Sequence, residues 1–498
     1  MAELGSRAVM RSRQFNHYPY HSILLPPYQS GDDSSSYLAN LAKFVPTIGE
    51  LWQNEWLPSI VPGLNEARTL DYASLDDARL IEAFRKQLDD SAYRWWIHGK
   101  LNFVLVPASE FVAFYNEQFH PESPVEAYEV LQGFETLSLH QGRGLWRLSR
   151  IVKTDAGLQA LFERTETHQL LKELSSTVAP AFFLSQFNAY LDEFGWRSDA
   201  IFDIAATPWI EDPSIPLNII KGYVSLDDTQ SPDAELSASI ARREYLLDQA
   251  RTKLASTASA ATFEQLYEAA RHNLTVTEDH NYYIDCLGVA VLRLALLETG
   301  RRLLSRGQLA VADDVFMLHS AELETALLSR MPVADQVRRR RGEMEAAAAQ
   351  TPPPFFGTPE PIDASDPFLV AMLSGMMGLD RPMQPPDDPN VLKGVPASGG
   401  VIRGRAKVVR SLADASKLEP GDVMVCEMTT PPWAPLFSTI AGLVADTGGV
   451  LSHCAIVARE YRLPAVVGTI YGTRILRDGL LITVDGTRGM VQVESDYR

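Results

Sequence analysis

Residues 446 to 468 read Asp446-Thr-Gly-Gly-Val-Leu-Ser-His-Cys-Ala-Ile-Val-Ala-Arg-Glu-Tyr-Arg-Leu-Pro-Ala-Val-Val-Gly468 and predict a loop that leads into a helix. The apolar run from Gly442 to Ala445, directly before this stretch, is typical of a buried strand. Ser452 is a favoured N-cap residue, so His453 is expected in the first turn of the helix. Free N–H groups and a partial positive charge at a helix N-terminus suit a bound or covalently attached phosphoryl group.

Two glycines, Gly448 and Gly449, would let the backbone approach such a group without an intervening side chain. A neutral imidazole near pH 7 is a competent nucleophile toward phosphorus, which makes His453 a candidate catalytic residue. The competing interpretation is a packed histidine at an apolar helix start. The adjacent Cys454 is better explained by small-residue packing than by thiol chemistry.

The whole stretch closely resembles the phosphohistidine segment in the swivelling domain of PEP-utilising enzymes, which include pyruvate phosphate dikinase, PEP synthase and rifamycin phosphotransferase. The resemblance implies that His453 carries a phosphoryl group. Leu451 stands where dikinases often have a regulatory threonine, so control by phosphorylation there is not implied. The matching residues are Thr447, Gly448, Gly449, Ser452, His453, Ala455, Ile456, Ala458, Arg459, Glu460, Pro464, Ala465, Val466, Val467 and Gly468.

Strand patterns surround this segment and predict a C-terminal α/β swivelling phosphohistidine domain over residues 393–498. Val401 to Val409 alternates, Asp422 to Met428 forms a second candidate strand, and Gly479–Val484 with Met490–Val493 predicts a hairpin. The loop Thr429-Thr-Pro-Pro-Trp-Ala-Pro-Leu-Phe437 matches a family loop. The match implies that Thr429 or Thr430 lies near the phosphoryl group, while a purely structural proline-shaped loop explains the sequence equally well.

The preceding sequence predicts a mostly α-helical N-terminal substrate domain over residues 1–345. Residues 1 to about 65 are expected to be irregular apart from one short helix, and Ser74–Asp77 resembles a capping box that starts the next helix. Residues 346–392 are rich in proline and are expected to form a semi-rigid linker. Further helices are predicted at Tyr37–Phe44, Ala234–Leu274, His280–Arg306 and, within the linker, Phe368–Met377.

The loop from Gly195 to Pro213 combines a cation, carboxylates and aromatic residues, and it is either a surface loop with ordinary ion pairs or part of a site. It resembles a loop in the substrate domain of rifamycin phosphotransferase-like proteins. Trp196 and Ile201 replace the histidine and glutamate of the family pattern, which implies a changed substrate. The residues that carry over are Gly195, Arg197, Asp203, Trp209, Glu211, Asp212 and Pro213.

Roles for these residues follow from the resemblance. Arg197 is expected to stabilise the charge of the transferring phosphoryl group. Asp199, Asp203 and His140 are candidates for a base that accepts the proton of an acceptor hydroxyl.

Composition narrows the class of protein. The chain has 498 residues and a net charge of −18, which argues against nucleic acid or an anionic membrane as a partner. The three cysteines have neither metal-type spacing nor a disulfide framework, so no metal site is expected and a reducing, cytoplasmic environment fits. The N-terminus suggests neither a signal peptide nor a membrane anchor.

Little sequence follows Gly468, and no Walker-type or ATP-grasp motif is recognisable before residue 390. We therefore expect a substrate domain plus a phosphohistidine domain, with ATP and Mg²⁺ held by a separate ATP-grasp nucleotide-binding subunit in a hetero-oligomer and no cofactor bound by this chain alone. This organisation resembles one subunit of the two-subunit aryl phosphate synthases of aromatic compound degradation, such as phenylphosphate synthase and 4-methylbenzyl phosphate synthase. It also resembles rifamycin phosphotransferase without its ATP-grasp domain.

The resemblance implies transfer from ATP through His453 to a small phenolic substrate such as phenol or p-cresol, giving an aryl phosphate with AMP and phosphate. Two alternatives stay open. In the first, the chain is an antibiotic phosphotransferase subunit of the rifamycin type. In the second, it is a non-enzymatic phosphocarrier subunit.

Overall fold

A computed structural model describes residues 9–15, 18–24, 34–176, 180–200, 202–350, 352, 365–380, 388 and 390–494. By packing, the chain divides into two compact units. The first unit comprises Met1–Leu101, Phe202–Ala206 and Tyr283–Glu360, and the second comprises Asn102–Ile201, Thr207–Tyr282 and Pro361–Arg498. The predicted partition at residues 345 and 392 stays a prediction, and most of the proline-rich linker lies outside the described residues.

Helices make up most of the described chain before residue 350, with the last three α-helices of the described chain lying after it. They are α1 (Ser34–Phe44), α2 (Ile48–Leu51), α3 (Leu57–Thr69), α4 (Asp77–Leu101), α5 (Leu105–Phe119), α6 (Glu126–Glu129), α7 (Leu137–Thr154), α8 (Ala156–Arg164), α9 (Thr167–Ser176), α10 (Ala181–Phe194), α11 (Ser214–Val224), α12 (Pro232–Leu254), α13 (Ser259–His280), α14 (Gly288–Ser305), α15 (Ser320–Ser329), α16 (Ala334–Ala348), α17 (Pro367–Leu369), α18 (His453–Glu460) and α19 (Gly472–Ile475).

The strands are β1 (Val9–Phe15), β2 (Tyr18–Leu24), β3 (Val391–Lys393), β4 (Val395–Ser398), β5 (Val401–Val408), β6 (Val423–Cys426), β7 (Gly442–Ala445), β8 (Ala465–Val467), β9 (Leu481–Asp485) and β10 (Met490–Val493). β1 and β2 pair with each other, and the other eight form one mixed sheet in the order β3-β10-β9-β5-β6-β7-β8-β4. The neighbours β5, β6, β7 and β8 are parallel, and the remaining pairs are antiparallel.

The sheet of the second unit carries a core on both faces, which explains why β6, β7 and β8 are continuous apolar runs. One of these cores also takes in helices α7, α10 and α11, so the helical residues and the sheet share one set of packed side chains. The arrangement confirms the predicted fold class, a mostly helical N-terminal part followed by a C-terminal α/β domain.

In the first unit, α4 packs against α14 through an apolar face. Leu80, Ile81 and Phe84 are buried on α4 at helical spacing and meet Leu296 and Leu303 of α14. Nowhere in the part of the chain that the structure describes is there a helix both long and apolar enough to span a bilayer.

Three local predictions about helix boundaries are wrong. Residues 45 to 69 are helical rather than irregular, because Trp52, Trp56, Ile60 and Leu64 recur every four residues and are all buried. Most of residues 1–33 lies outside the described part, but β1 and β2 also replace an irregular lead-in.

The cap of α4 is Asp76 rather than Ser74: the Asp76 carboxylate accepts from the Arg79 N–H at 2.8 Å. The predicted helix from Ala234 to Leu274 is two helices. It breaks after Leu254, whose carbonyl accepts from both the N–H and the hydroxyl of Thr257, at 2.8 and 2.9 Å. The strands and helices around His453 match the predictions closely.

Candidate active site

His453 stands at the start of α18, where the sequence predicts it. Strand β7 ends at Ala445, and a short loop leads to Ser452. The Ser452 hydroxyl accepts from the Ala455 N–H at 3.4 Å and donates to the Gly449 carbonyl at 2.7 Å. The N-cap therefore fixes where the imidazole projects from the helix.

Only one of the two nitrogens of His453 has a hydrogen-bond partner. Nδ1 lies 3.0 Å from the hydroxyl of Thr429, and that hydroxyl donates to Sγ of Cys454 at 3.1 Å. With the Thr429 proton directed to sulfur, its oxygen can accept from Nδ1–H, and this tautomer of His453 has its free electron pair on Nε2. Nε2 has no hydrogen-bond partner among the described residues.

Glu278 faces this free nitrogen. Its Oε2 lies 3.8 Å from Nε2 of His453, too far for a hydrogen bond, and it accepts from the Ser138 hydroxyl at 3.2 Å. The pKa of Glu278 is raised to about 7: burial and the charge of the neighbouring Asp279 raise it, while Ser138 and Arg197 act in the opposite direction. Glu278 can thus gain or lose a proton near neutral pH.

Arg197 is a buried cation beside both groups. Its side chain is 1% exposed, and none of its three guanidinium nitrogens has a hydrogen-bond partner in the described part of the chain. The guanidinium carbon lies 4.8 Å from the ring centre of Tyr282 and 6.0 Å from that of Phe194. An unpaired buried guanidinium is costly, so it is a natural binding point for an anion.

Burial lowers the pKa of His453 to about 3, and the charge of Arg197 lowers it too. The imidazole is therefore neutral at physiological pH. Glu278 is uncharged below pH 7, so the 3.8 Å approach of the two side chains is not an ion pair at neutral or lower pH. A neutral imidazole with a free Nε2, next to a titratable carboxylate and a cation, is equipped for nucleophilic and acid–base chemistry.

Several predicted residues thus belong to one site: Thr429 is in contact with His453, and the charge of Arg197 acts on the same imidazole. Thr430 lies one residue away and donates to the backbone carbonyl of Asp199 at 3.3 Å, while the Asp199 side chain is half-buried.

The two glycines have packing roles. Gly448 has a φ of +98°, and a side chain there would lie 2.7 Å from the Ser452 hydroxyl. A side chain on Gly449 would lie 2.3 Å from the carbonyl of Gly375 and 2.4 Å from that of Ser374. Gly449 makes room for another segment of the chain, a long-range contact that the sequence pattern did not suggest.

Two candidate bases have local partners instead. The His140 side chain is 48% exposed, and its Nε2 lies 3.0 Å from Glu135. Asp203 lies in the first unit and accepts from the Ala205 N–H at 2.8 Å, forming its own turn.

The sequence analysis missed Glu278. A usable signal was present, because Glu278 continues the buried face of α13 at helical spacing after Phe263, Tyr267 and Ala270. A carboxylate at such a position is rarely without a function. Around His453, the described residues offer no group of three or more histidine, cysteine or carboxylate ligands within reach of one ion.

The two sides of the site match two known families. Residues 103–278, which contain Arg197 and Glu278, match the rifampicin phosphotransferase fourth domain. Residues 418–489, which contain Thr429 and His453, match the mobile domain of PEP-utilising enzymes. The predicted relation to PEP-utilising enzymes and to rifampicin phosphotransferase is confirmed.

Curated relatives extend the match along most of the chain. Chondramide synthase cmdD of Chondromyces crocatus is 32% identical over 96% of this chain and 13% of its own length. The uncharacterized phosphotransferase YvkC of Bacillus subtilis strain 168 is 31% identical over 86% of this chain and 51% of its own length. A rifampicin phosphotransferase of a Streptomyces species is 31% identical over 80% of this chain and 43% of its own length. The chain spans about half, or less, of these relatives.

Proposed function

Since the chain carries the mobile domain of the PEP-utilising enzymes, we propose that it is a phosphotransferase in which Nε2 of His453 carries the phosphoryl group. The observation that supports this proposal best is the surroundings of Nε2. It is unpartnered, lies 3.8 Å from Glu278 and is accompanied by the buried, unpaired guanidinium of Arg197.

His453 would be phosphorylated from ATP with release of AMP and phosphate. We propose that ATP and Mg²⁺ are held by a separate ATP-grasp subunit. In this chain, Nδ1–H donates to Thr429 and leaves the electron pair of Nε2 available for attack on phosphorus. The phosphorylated ring then carries a positive charge, which makes it a good leaving group.

In the transfer step, the acceptor oxygen forms a bond to phosphorus as the Nε2–P bond breaks. The imidazole leaves neutral, still protonated on Nδ1, and the proton of the acceptor hydroxyl moves to the Glu278 carboxylate. Glu278 returns this proton to solvent before the next cycle. Arg197 stabilises the charge on the phosphoryl oxygens during the transfer.

The acceptor that we propose is a phenolic hydroxyl, as in phenol or p-cresol, and the product is an aryl phosphate. The rings of Tyr282 and Phe194 beside Arg197 offer an apolar surface to an aromatic acceptor. A phenol has a pKa of about 10, so a carboxylate with a pKa of about 7 is a suitable partner for its proton.

A second candidate is an antibiotic phosphotransferase. The observation in its favour is the 31% identity with a rifampicin phosphotransferase over 80% of the chain. In this case the same His453, Arg197 and Glu278 would act on a hydroxyl of a larger molecule.

Isotope exchange tests the proposal without any nucleotide. If phosphoryl transfer through His453 is reversible, the chain should exchange labelled phenol or p-cresol into the corresponding unlabelled aryl phosphate. His453→Asn is the control, and exchange that persists in this variant would refute the phosphohistidine. Absence of exchange with phenols, together with phosphorylation of rifampicin once the ATP-grasp subunit and ATP are added, would favour the second candidate. With ATP labelled in the transferred phosphoryl group, labelled phosphate found only on a partner protein would indicate a phosphocarrier.

A further inference from the structure

We propose that Gln141 and Tyr190 form a recognition subsite for a neutral hydrogen-bonding group on the acceptor, best matched by a carboxamide. The inference rests on the proposed function, because it places the acceptor beside Arg197 and Glu278. It adds the substrate class: an aromatic alcohol that carries a carboxamide in addition to its reacting hydroxyl.

Gln141 is the first half of the subsite. Its side chain is completely buried on α7, and neither its amide oxygen nor its amide nitrogen has a hydrogen-bond partner in the described residues. Ser138, one helical turn earlier, donates to Glu278, so this face of α7 points toward the candidate active site. Gln141 therefore presents an unused donor and an unused acceptor on the helix face that supports Glu278.

Tyr190 is the second half. Its side chain is 6% exposed on α10, and its hydroxyl also has no hydrogen-bond partner within the described chain. A side chain on Gly144 of α7 would lie 2.7 Å from the Tyr190 ring, so the ring lies directly against α7. Burial raises the pKa of the Tyr190 hydroxyl, while the charge of Arg197 lowers it, as does a contact with the Gln141 side chain that falls short of a well-formed hydrogen bond. The phenol stays protonated at neutral pH.

Four side chains of the second unit thus have polar atoms without a well-formed hydrogen bond among the described residues: Gln141, Tyr190, Arg197 and His453. Gln141 and Arg197 both act on Tyr190, and Arg197 also acts on His453. Buried polar groups in folded proteins are nearly always hydrogen-bonded, and each one left unpaired is costly. A cluster of this kind next to a nucleophile is what a site built for a polar ligand presents before the ligand binds.

The donor and acceptor pattern selects the class of ligand. A planar amide such as Gln141 pairs with a second amide through two reciprocal hydrogen bonds, and the Tyr190 hydroxyl supplies a third. The Tyr190 ring stands 5.4 Å from the Phe194 ring, which gives the subsite an aromatic wall for the body of the acceptor.

The experiment is equilibrium binding to the full, unphosphorylated chain by isothermal titration calorimetry. The probes are 3- and 4-hydroxybenzamide and the two isopropylphenols of matching shape. We expect at least one hydroxybenzamide to bind about tenfold tighter than its isopropyl counterpart, because a net gain of roughly one good hydrogen bond corresponds to that factor in affinity.

Two variants locate the effect. Gln141→Leu should lose the preference for the amide, and Tyr190→Phe should reduce it several-fold while leaving the affinity for isopropylphenol unchanged. Both variants remove a buried polar group without a protein partner, so their melting temperatures should stay at or above that of the unchanged protein. Should Gln141→Leu fail to fold, the isosteric Tyr190→Phe decides alone.

Equal affinity for the amide and isopropyl probes, no measurable binding of either hydroxybenzamide, or a preference that survives in Gln141→Leu would each overturn the subsite. Binding does not depend on phosphoryl transfer, so the preference should persist in His453→Asn. A protein that binds hydroxybenzamide selectively but exchanges no label would contradict the proposed function and leave the subsite standing.

Discussion

Glu278→Gln separates the acid–base role of this carboxylate from its role in packing. The substitution keeps the size of the side chain and an acceptor for the Ser138 hydroxyl, which lies 3.2 Å from Oε2. It removes the group that accepts the proton of the attacking hydroxyl. Loss of a general base typically slows a reaction by 10²- to 10⁴-fold, or about 3 to 5 kcal/mol in the barrier, so the phenol exchange rate should fall by that factor.

The pH dependence gives a second, independent signature. Glu278 accepts a proton only when it is ionised, so the exchange rate of the unchanged protein should rise through about pH 7. The residual rate of Glu278→Gln should lack this rise. The assay measures labelled phenol entering phenyl phosphate between pH 5 and pH 9 at saturating phenol.

As pH rises, the stability of the unchanged protein should fall while its exchange activity rises. The folded-state pKa of Glu278 is raised from 4.5 to about 7, so the fold favours the protonated form, and stability falls as pH rises across this interval. The loss reaches about 3 kcal/mol at most above pH 7. Glu278→Gln has no ionisable group here and does not show this loss of stability. The variant's free energy of unfolding, relative to that of the unchanged protein, should therefore be about 3 kcal/mol higher at pH 8 than at pH 4. Urea unfolding at both pH values measures this difference.

Asp279→Asn is the matched control. Asp279 accepts from the Leu137 N–H at 2.9 Å, and asparagine preserves that acceptor, so exchange should stay within a few-fold of normal. An unchanged exchange rate in Glu278→Gln, or a rise through pH 7 that remains in it, would show that another group takes the proton.

Two further predictions concern the contacts that hold the imidazole and its helix. Thr429→Val removes the partner of Nδ1 of His453, so kcat for exchange should fall about tenfold with little change in KM for phenol. A normal kcat in this variant would mean that Thr429 does not determine the tautomer of His453. Glu460 at the end of α18 is half-buried and accepts from the Gly133 N–H at 3.1 Å, and its pKa is raised to about 7 because its surroundings disfavour the ionised form. Local opening that exposes this carboxylate to water should therefore become easier as pH rises from 5 to above 7. Hydrogen exchange of the Gly133 amide, corrected for its intrinsic rate, should show about a tenfold loss of protection between pH 6 and pH 8 that is absent in Glu460→Gln, and equal protection at both pH values would contradict this reading.

The parts of the site that the sequence predicts are those encoded within a few neighbouring residues. An apolar run ending at Ala445 and an N-cap at Ser452 are local signals, and they placed His453 correctly. The loop pattern likewise identified Arg197. Its complete burial beside Tyr282, however, depends on the packing of α10 against residues that follow α13.

Long-range contacts account for what the sequence did not predict. Glu278 meets His453 only because α13 and α18 pack in the same unit, and nothing near either residue in the chain encodes that meeting. The same holds for Gly449. Its pattern suggested close approach of a ligand, whereas the space is occupied by the backbone of Ser374 and Gly375. A local pattern identifies a position where the backbone must be approached closely, but the fold decides what approaches it.

The 3.8 Å between Nε2 and Glu278 also implies movement during a catalytic cycle. At that distance the two side chains are nearly in contact, so a phosphoryl group and an acceptor cannot both be inserted between them. If His453 carries the phosphoryl group as proposed, the histidine helix must withdraw when it is loaded and return with the acceptor already in place.

The segment before the sheet domain has to take part in this movement. Phe368 stacks on Phe103 next to α5 with ring centres 4.2 Å apart, while the carbonyls of Met376 and Gly375 accept from the N–H groups of Gly449 and Leu451 at 2.8 and 2.7 Å. Residues 368–376 thus contact both α5 and the loop that precedes His453, and they do not form an unattached linker between the two. Withdrawal of the imidazole must break one of these two sets of contacts, and the buried aromatic stack costs more to separate than two backbone hydrogen bonds that water can replace. Residues 374–376 should therefore stay with α5 while the glycine loop and α18 move away from them.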